Sequence, residues 1–262
     1  AVAYSSGSAL SSGNSHGTFV ASIAAADFQL PPAPQYYIMG VAPGANLHLT
    51  DYASNFQPSH WAAGTASAES AGAVVQNNSW GFDEQYGGAS ISAVVATKNS
   101  NGYTGAEALV HYQSVNTDGD SYNDILGSYS ASDWTGYINA LNSFQDTGVV
   151  VFALSNDSNR TDADISAGLP ELFPELKEAW ITVANVDIQG TNVATQTYTL
   201  KSAACGATAE YCISGDGWGI LGAGGSYGAT NYNTGTATVT DDYHVSGGTS
   251  YVAPAVSGAI AV

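Results

Sequence analysis

Three polar residues with complementary chemistry stand at the ends of predicted helices and strands. His16 lies in "NSHGTFVASIAA" and Ser250 in "GGTSYVAPAVSG", and both patterns predict the start of a helix. Asn156 follows the apolar run "VVVFALS". A serine hydroxyl is a weak nucleophile that an adjacent imidazole activates by taking its proton. A carboxamide, together with free N–H groups at a helix N-terminus, stabilises the oxyanion that forms on a carbonyl substrate. The three residue types therefore predict nucleophilic acyl transfer at Ser250.

The elements around these residues predict an α/β fold that can bring them together. Two continuous apolar runs, 148–154 and 179–187, are typical of parallel strands that are buried on both faces. We expect residues 1–13 to form a loop. Further strands are predicted at 46–52 and 72–81, and helices at 14–24, 60–73, near 90–97 in an otherwise irregular stretch, 133–146 and 251–262. This alternation indicates a mostly parallel central sheet with helices on both faces. Such a sheet gathers strand C-termini and helix N-termini at one edge.

The charge balance excludes some partners. The 262 residues include 4 Lys and Arg against 22 Asp and Glu, which gives a formal net charge of −18. Without a cationic surface the protein cannot neutralise nucleic-acid phosphates or an anionic membrane. No apolar run reaches transmembrane length, so we expect no membrane insertion by this domain. The scarcity of Lys and Arg favours an extracellular or cell-surface location, and acidic drift for solubility is the alternative interpretation.

Several segments together resemble the subtilases, the subtilisin-like serine peptidases. "HGTFVAS" is similar to the family's histidine segment, "GTSYVAPAVSGAIA" to its serine segment, and "SN" after "VVVFAL" to its oxyanion segment. "GVAPGANL" and "NNSWG" resemble two further characteristic segments of the family. As a whole, the sequence resembles the subtilase domains of autotransporters and surface-associated proteins most. The resemblance implies a subtilisin-like three-layer fold and a serine endopeptidase that acts on proteins or peptides. It also implies that the domain is part of a larger surface protein.

The resemblance also assigns the substrate groove. Ser79, Trp80 and Gly81 would pair with an extended substrate through their main chain. Ala153, Leu154 and Ser155 would form the opposite wall of the primary specificity pocket, and Ser155 replaces a residue that is usually glycine, which would narrow that pocket. Around the nucleophile the pattern is G-T-S-Y-V rather than G-x-S-x-G, which counts against a serine esterase on another fold.

The family's third catalytic residue has no counterpart upstream of the histidine. The resemblance implies an aspartate on an apolar strand, followed by Ser or Thr and then Gly, but none of the fifteen residues before His16 is Asp or Glu. We expect that the chain is truncated at both ends and that this aspartate lies outside it. The alternatives are an acid from another chain, a substitute such as Asp51, and a catalytically inactive scaffold or binding module on a cell surface.

Two further motifs indicate structural stabilisation. Cys205 and Cys212 in "CGATAEYC" predict a disulfide, because two thiols at this spacing match no common zinc motif. "NTDGDSYND" resembles a calcium loop, since alternating carboxylates on a tight turn supply the oxygen ligands that Ca²⁺ requires. A solvated surface turn is the alternative, and the chemistry itself needs no cofactor. The predicted Ca²⁺ ligands are Asn116, Asp118, Asp120, the Tyr122 carbonyl and Asp124.

Overall fold

A parallel sheet lies at the centre of the molecule. The computed structural model describes residues 2–6, 15–27, 39–51, 57–81, 89–114, 129–223 and 243–262. Within these segments, strand β4 lies between β3 and β5 and runs parallel to both. Strand β5 also pairs with β7 in parallel and with β6 in antiparallel fashion. The bounds are β3 Val75–Asn78, β4 Val149–Ala153, β5 Trp180–Gln189, β6 Thr197–Leu200 and β7 Cys212–Asp216.

Helices cover both faces of this sheet. On one face, α2, α3, α4 and α5 share a hydrophobic core with the central strands. On the other face α7 packs against β3, β4 and β5, and α1 packs against α7. The bounds are α1 Ser15–Ala25, α2 Pro58–Ser70, α3 Ile91–Asn101, α4 Gly105–Ser114, α5 Ala131–Gln145 and α7 Thr249–Ala261. The expected mostly parallel sheet with helices on both faces is therefore confirmed. None of the helices in the described segments is long and apolar enough to span a bilayer.

The burial of strand β4 on both faces fixes the position of Asn156, which follows it. Its β-branched residues favour extended backbone, and successive side chains point to opposite faces. Phe152 stacks on Trp180 at a ring-centroid distance of 5.1 Å in the larger core, whereas Val151 packs with Val252 on the α7 face. Each such burial stabilises the fold by roughly 1.5–3 kcal/mol. A shift of one residue would exchange the two faces, so the end of β4, just before Asn156, is firmly placed.

The remaining elements are shorter. Strands β1 (Val2–Ser6) and β2 (Leu47–Thr50) form a parallel pair, and β8 (Ile220–Ala223) pairs antiparallel with β9 (Tyr243–Ser246). Short helical turns follow β4 and β6 at α6 Leu169–Leu172, Pro174–Ala179 and Gly206–Tyr211.

Two sequence-based expectations need correction. Residues 1–13 are not simply a loop, because 2–6 form β1. The five residues lack an alternating apolar pattern, and their pairing partner β2 lies about forty residues downstream, where local pattern cannot reveal it. The stretch 83–132 also holds more helix than expected, since α4 follows directly after α3.

The expected disulfide is present. Cys205 and Cys212 are bonded and flank the short helical turn between β6 and β7. The Asp162 carboxylate accepts hydrogen bonds from the backbone N–H groups of Ala207 and Ser92. The disulfide and these bonds together hold the turn against the core.

Replacing both cysteines by serine should lower the free energy of unfolding. Closing a loop of this length removes chain entropy from the unfolded state worth roughly 2–3 kcal/mol. We expect urea unfolding of the Cys205→Ser/Cys212→Ser variant to show a loss of that size, and reduction of the wild-type protein should reproduce it. An unchanged unfolding midpoint in the double variant would show that the cross-link has no stabilising effect.

Candidate active site

One cavity of about 270 Å³ brings together the catalytic and groove residues that the sequence indicates. It lies at the carboxyl ends of β3 and β4, beside the N-termini of α1 and α7. All nine predicted residues line it, and two residues that were not predicted, Asp164 and Thr249, line it as well. The predicted members are His16, Ser79, Trp80, Gly81, Ala153, Leu154, Ser155, Asn156 and Ser250.

The imidazole and the hydroxyl meet at a single carbonyl oxygen. His16 Nε2 lies 3.1 Å from Ser79 O, and Ser250 Oγ donates to the same oxygen at 3.3 Å. Because a carbonyl only accepts hydrogen bonds, the Nε2 atom carries the proton in this arrangement. The ring of Tyr251 lies 5.9 Å from that of His16 and 4.4 Å from that of Phe19, which links the first turns of α1 and α7. His16 and Ser250 are therefore neighbours, although they are 234 residues apart in the sequence.

The carboxamide of Asn156 is oriented by the residue before Ser250. Asn156 Oδ1 accepts from the backbone N–H of Thr249 at 2.9 Å and lies 3.0 Å from Thr249 Oγ1. The Thr249 hydroxyl donates its one proton to Leu154 O, at 2.6 Å. Because the oxygen of the amide is occupied, its NH₂ group is the end that can donate to a ligand. Gly248 adopts φ 150°, and a Cβ there would come within 3.0 Å of Asn156 Oδ1, so a glycine is needed at this position.

A hydrogen-bonded chain joins β3 to α7 behind the cavity. Pro254 has no N–H, so the carbonyl of Ser250 lacks its usual partner in the helix. Ser79 Oγ donates to that carbonyl at 2.9 Å. Asn77 Nδ2 donates to Ser79 Oγ at 2.9 Å, and Ser257 Oγ donates to Asn77 Oδ1 at 3.1 Å. Asn77 and Ser257 are thus positioning residues, which the sequence did not indicate because their partners lie on another element.

The walls of the cavity are packed into the large core. Trp80 lies edge-on to Phe152 at 5.4 Å and against Trp61 at 4.8 Å. Ala153 and Leu154, which also line the cavity, are buried. Ser155 Oγ accepts from the N–H of Asp157, so this hydroxyl is tied to its own loop.

Asp164 is a buried carboxylate in the cavity. It is 1% exposed, and its Oδ1 accepts from the backbone N–H of Ala167 at 3.1 Å. Oδ2 is buried and has no hydrogen-bond partner in the described part of the chain. Burial raises the pKa of Asp164 to about 6, against the smaller lowering effects of the Ala167 N–H, the Arg160 charge and the backbone N–H groups of Ser166 and of Asp164 itself. In the sequence it is one of several aspartates in a polar loop, and no local signal distinguishes it.

The catalytic acid and the calcium site are not located by the described residues. Within those residues no carboxylate bonds to the ring of His16, and Asp51 follows β2, where its carbonyl accepts from His60 Nε2 at 2.7 Å. No cluster of three His, Cys, Asp or Glu suited to a metal occurs there either. The predicted calcium ligands, Asn116, Asp118, Asp120, Tyr122 and Asp124, all lie outside the described residues, so that site stays a prediction.

Comparisons with known proteins agree with the resemblance. The subtilase family model matches residues 3–262. An extracellular serine protease of Serratia marcescens is 29% identical over 122 residues, which is 44% of this chain but 11% of that protein's length. Among solved structures, the prenylagaramide maturation protease PagA has a TM-score of 0.55 at 17% identity, covering 98% of this chain and 65% of that one. Sphericase has a TM-score of 0.52 at 19% identity, covering 98% and 67%. These similarities confirm the subtilisin-like fold.

Asp164→Asn should stabilise the protein at neutral pH. The folded-state pKa of about 6 exceeds the ordinary value of 3.8, so ionisation of this group in the folded state destabilises it as pH rises from about 4 to 6. That shift corresponds to roughly 3 kcal/mol, which a neutral amide avoids. Unfolding in urea should show the variant more stable than wild type at pH 8, with the difference disappearing near pH 4.

A matched control checks the origin of this pH dependence. Asp146 is exposed at the end of α5, so Asp146→Asn removes the same charge outside the cavity. Its stability should follow wild type at both pH values. If Asp164→Asn were less stable than wild type at pH 8, the carboxylate would stabilise the fold rather than destabilise it.

Proposed function

Because the chain belongs to the subtilase family, we propose that it is a serine endopeptidase that cleaves proteins or peptides through an acyl-enzyme. The observation that carries the proposal is the convergence of His16 and Ser250 on Ser79 O, with the NH₂ group of Asn156 beside them. A scaffold without chemistry would not need a base, a nucleophile and an oriented amide in one cavity.

The geometry assigns a role to each residue. An extended substrate would pair with the main chain of Ser79–Gly81 as an added strand, and its carbonyl carbon would lie at Ser250 Oγ. His16 Nε2, deprotonated and released from Ser79 O, would take the Ser250 proton and then give it to the leaving amine. The Asn156 NH₂ group and the Ser250 N–H at the start of α7 would donate to the oxyanion. Water would then hydrolyse the acyl-enzyme by the reverse proton transfers.

An extracellular or surface location is part of the same proposal. A disulfide is typical of oxidising compartments, and the Serratia relative is an extracellular protease. The scarcity of basic residues, 4 Lys and Arg in 262, favours the same location. Detection of the protein in culture medium or on intact cells by antibody is the direct test.

The acid member of the triad has two possible accounts. In one account the acid is supplied by a residue outside the described segments or by another chain. Alternatively, β1 is itself the strand before His16. It ends with Ser5 and Ser6, and Gly7 follows in the sequence, so the letters match the expected Asp-Ser/Thr-Gly pattern except at the first residue. In that account Ser5 occupies the position of the acid, and a Ser–His pair acts alone at a reduced rate.

A fluorophosphonate probe tests whether Ser250 is a nucleophile. The probe should form a covalent bond to Ser250 Oγ with loss of fluoride, and mass spectrometry should locate it on the peptide containing "GGTSYV". Ser250→Ala should abolish labelling, whereas Ser257→Ala, which changes a serine on the same helix, should retain it in part. A folded protein that no probe labels would support the inactive-scaffold alternative.

Ser5→Asp tests the account in which the acid has been replaced. A carboxylate that orients the imidazole is worth about 10⁴-fold in turnover, so the variant should cleave peptides at least a hundredfold faster than wild type. Ser6→Asp adds the same charge one residue away and should give no such gain. Equal rates for Ser5→Asp and wild type would favour an acid supplied from elsewhere.

A further inference from the structure

We propose that Asp164 makes the cavity selective for a substrate with Lys or Arg immediately before the scissile bond. The proposal rests on the peptidase function above and concerns the same cavity. Asp164 would be its specificity-determining residue, because its carboxylate is the one anionic group among the residues that line this cavity in the described part of the chain.

Asp164 faces the groove where the substrate side chain would enter. A Cβ built on Gly81 would lie 3.2 Å from Asp164 Oδ1 and 3.4 Å from Oδ2, so the carboxylate lies directly beside this groove residue. Because residue 81 is glycine, no side chain separates the carboxylate from the cavity. Ala153 and Leu154 also line the cavity, and their apolar side chains suit the methylene stem of a long basic side chain.

One carboxylate oxygen is left for a ligand. Oδ1 is engaged by the Ala167 N–H, whereas Oδ2 is buried without a partner in the described residues. A buried, unpaired carboxylate oxygen is costly, and a cationic donor is the group that compensates this cost best. The positive charge of Arg160 acts on Asp164 electrostatically, but no hydrogen bond from it reaches Oδ2. A substrate guanidinium or ammonium group would supply the missing donor.

A purely structural role for Asp164 makes a different prediction. Its Oδ1 caps the turn at residues 165–168, where Gly168 N–H also bonds to Asp164 O. An asparagine has an oxygen that can accept the same Ala167 N–H, so Asp164→Asn keeps the cap and removes only the charge. Any change in selectivity of this variant then reports on the carboxylate as a binding group.

Fluorogenic peptides that differ only before the scissile bond (Arg, Lys, Gln or Leu) measure the selectivity. In the wild-type protein kcat/KM should be highest for Arg and Lys. Losing one member of a desolvated ion pair should lower the Arg-to-Leu ratio of kcat/KM roughly 100-fold in Asp164→Asn. Asp146→Asn, with the same loss of charge on the surface, should keep the wild-type ratio. A ratio that is unchanged in Asp164→Asn, or a wild-type preference for Leu, would overturn the proposal.

A binding measurement separates failure of this proposal from failure of the peptidase function. Benzamidine presents an amidinium group and needs no turnover. Calorimetric titration should show that it binds wild type and Asp146→Asn alike and binds Asp164→Asn at least about tenfold more weakly. This result would stand even if no peptide were cleaved. If wild type cleaves peptides yet neither binds benzamidine nor favours Arg and Lys, Asp164 does not select the substrate.

Discussion

The hydrogen bonds at Ser79 are the interaction on which the site depends. This residue directly follows β3. Its carbonyl oxygen accepts hydrogen bonds from His16 Nε2 and Ser250 Oγ, and its hydroxyl donates a hydrogen bond to the carbonyl of Ser250. That last bond exists because Pro254 leaves the carbonyl without a helical donor. A proline that would weaken an ordinary helix here allows the strand to hold the helix start that carries Ser250.

The sheet turns this local bonding into a rigid arrangement. Strands β3 and β4 are in parallel register with Asn78 opposite Phe152, so the residues that follow them emerge at the same edge. Both faces of β4 are buried, which ties this edge to the two layers of helices. Thr249 then bonds to Leu154 and Asn156, which fixes the N-terminus of α7 against the end of β4. Each chemical group is thereby held by at least two elements, as pre-organised electrostatic stabilisation requires.

The sequence predicted the elements whose signal is local and missed the features that depend on distant partners. Continuous apolar runs revealed β4 and β5, and the residues at their ends and at helix starts led to His16, Asn156 and Ser250. The strand β1 escaped detection because its pairing with β2 is non-local. Nothing in the sequence distinguishes Asn77 and Ser257 from other polar residues, because the hydrogen bond between them joins β3 to α7. Asp164 differs from neighbouring aspartates only in its burial, which no linear pattern contains.

The proposed role of Asp164 sets stability against function in this fold. Most polar groups around the cavity are satisfied within the chain, as for Asn156 Oδ1 and the Ser79 hydroxyl. A carboxylate oxygen buried without a donor violates the general rule that buried polar atoms are paired. Such violations are expected where a ligand completes the bonding, because a donor fixed within the protein would compete with that ligand. Asp164 therefore lacks a hydrogen-bond donor at the point where a substrate side chain would enter. Without a bound substrate, this missing hydrogen bond lowers the stability of the folded state.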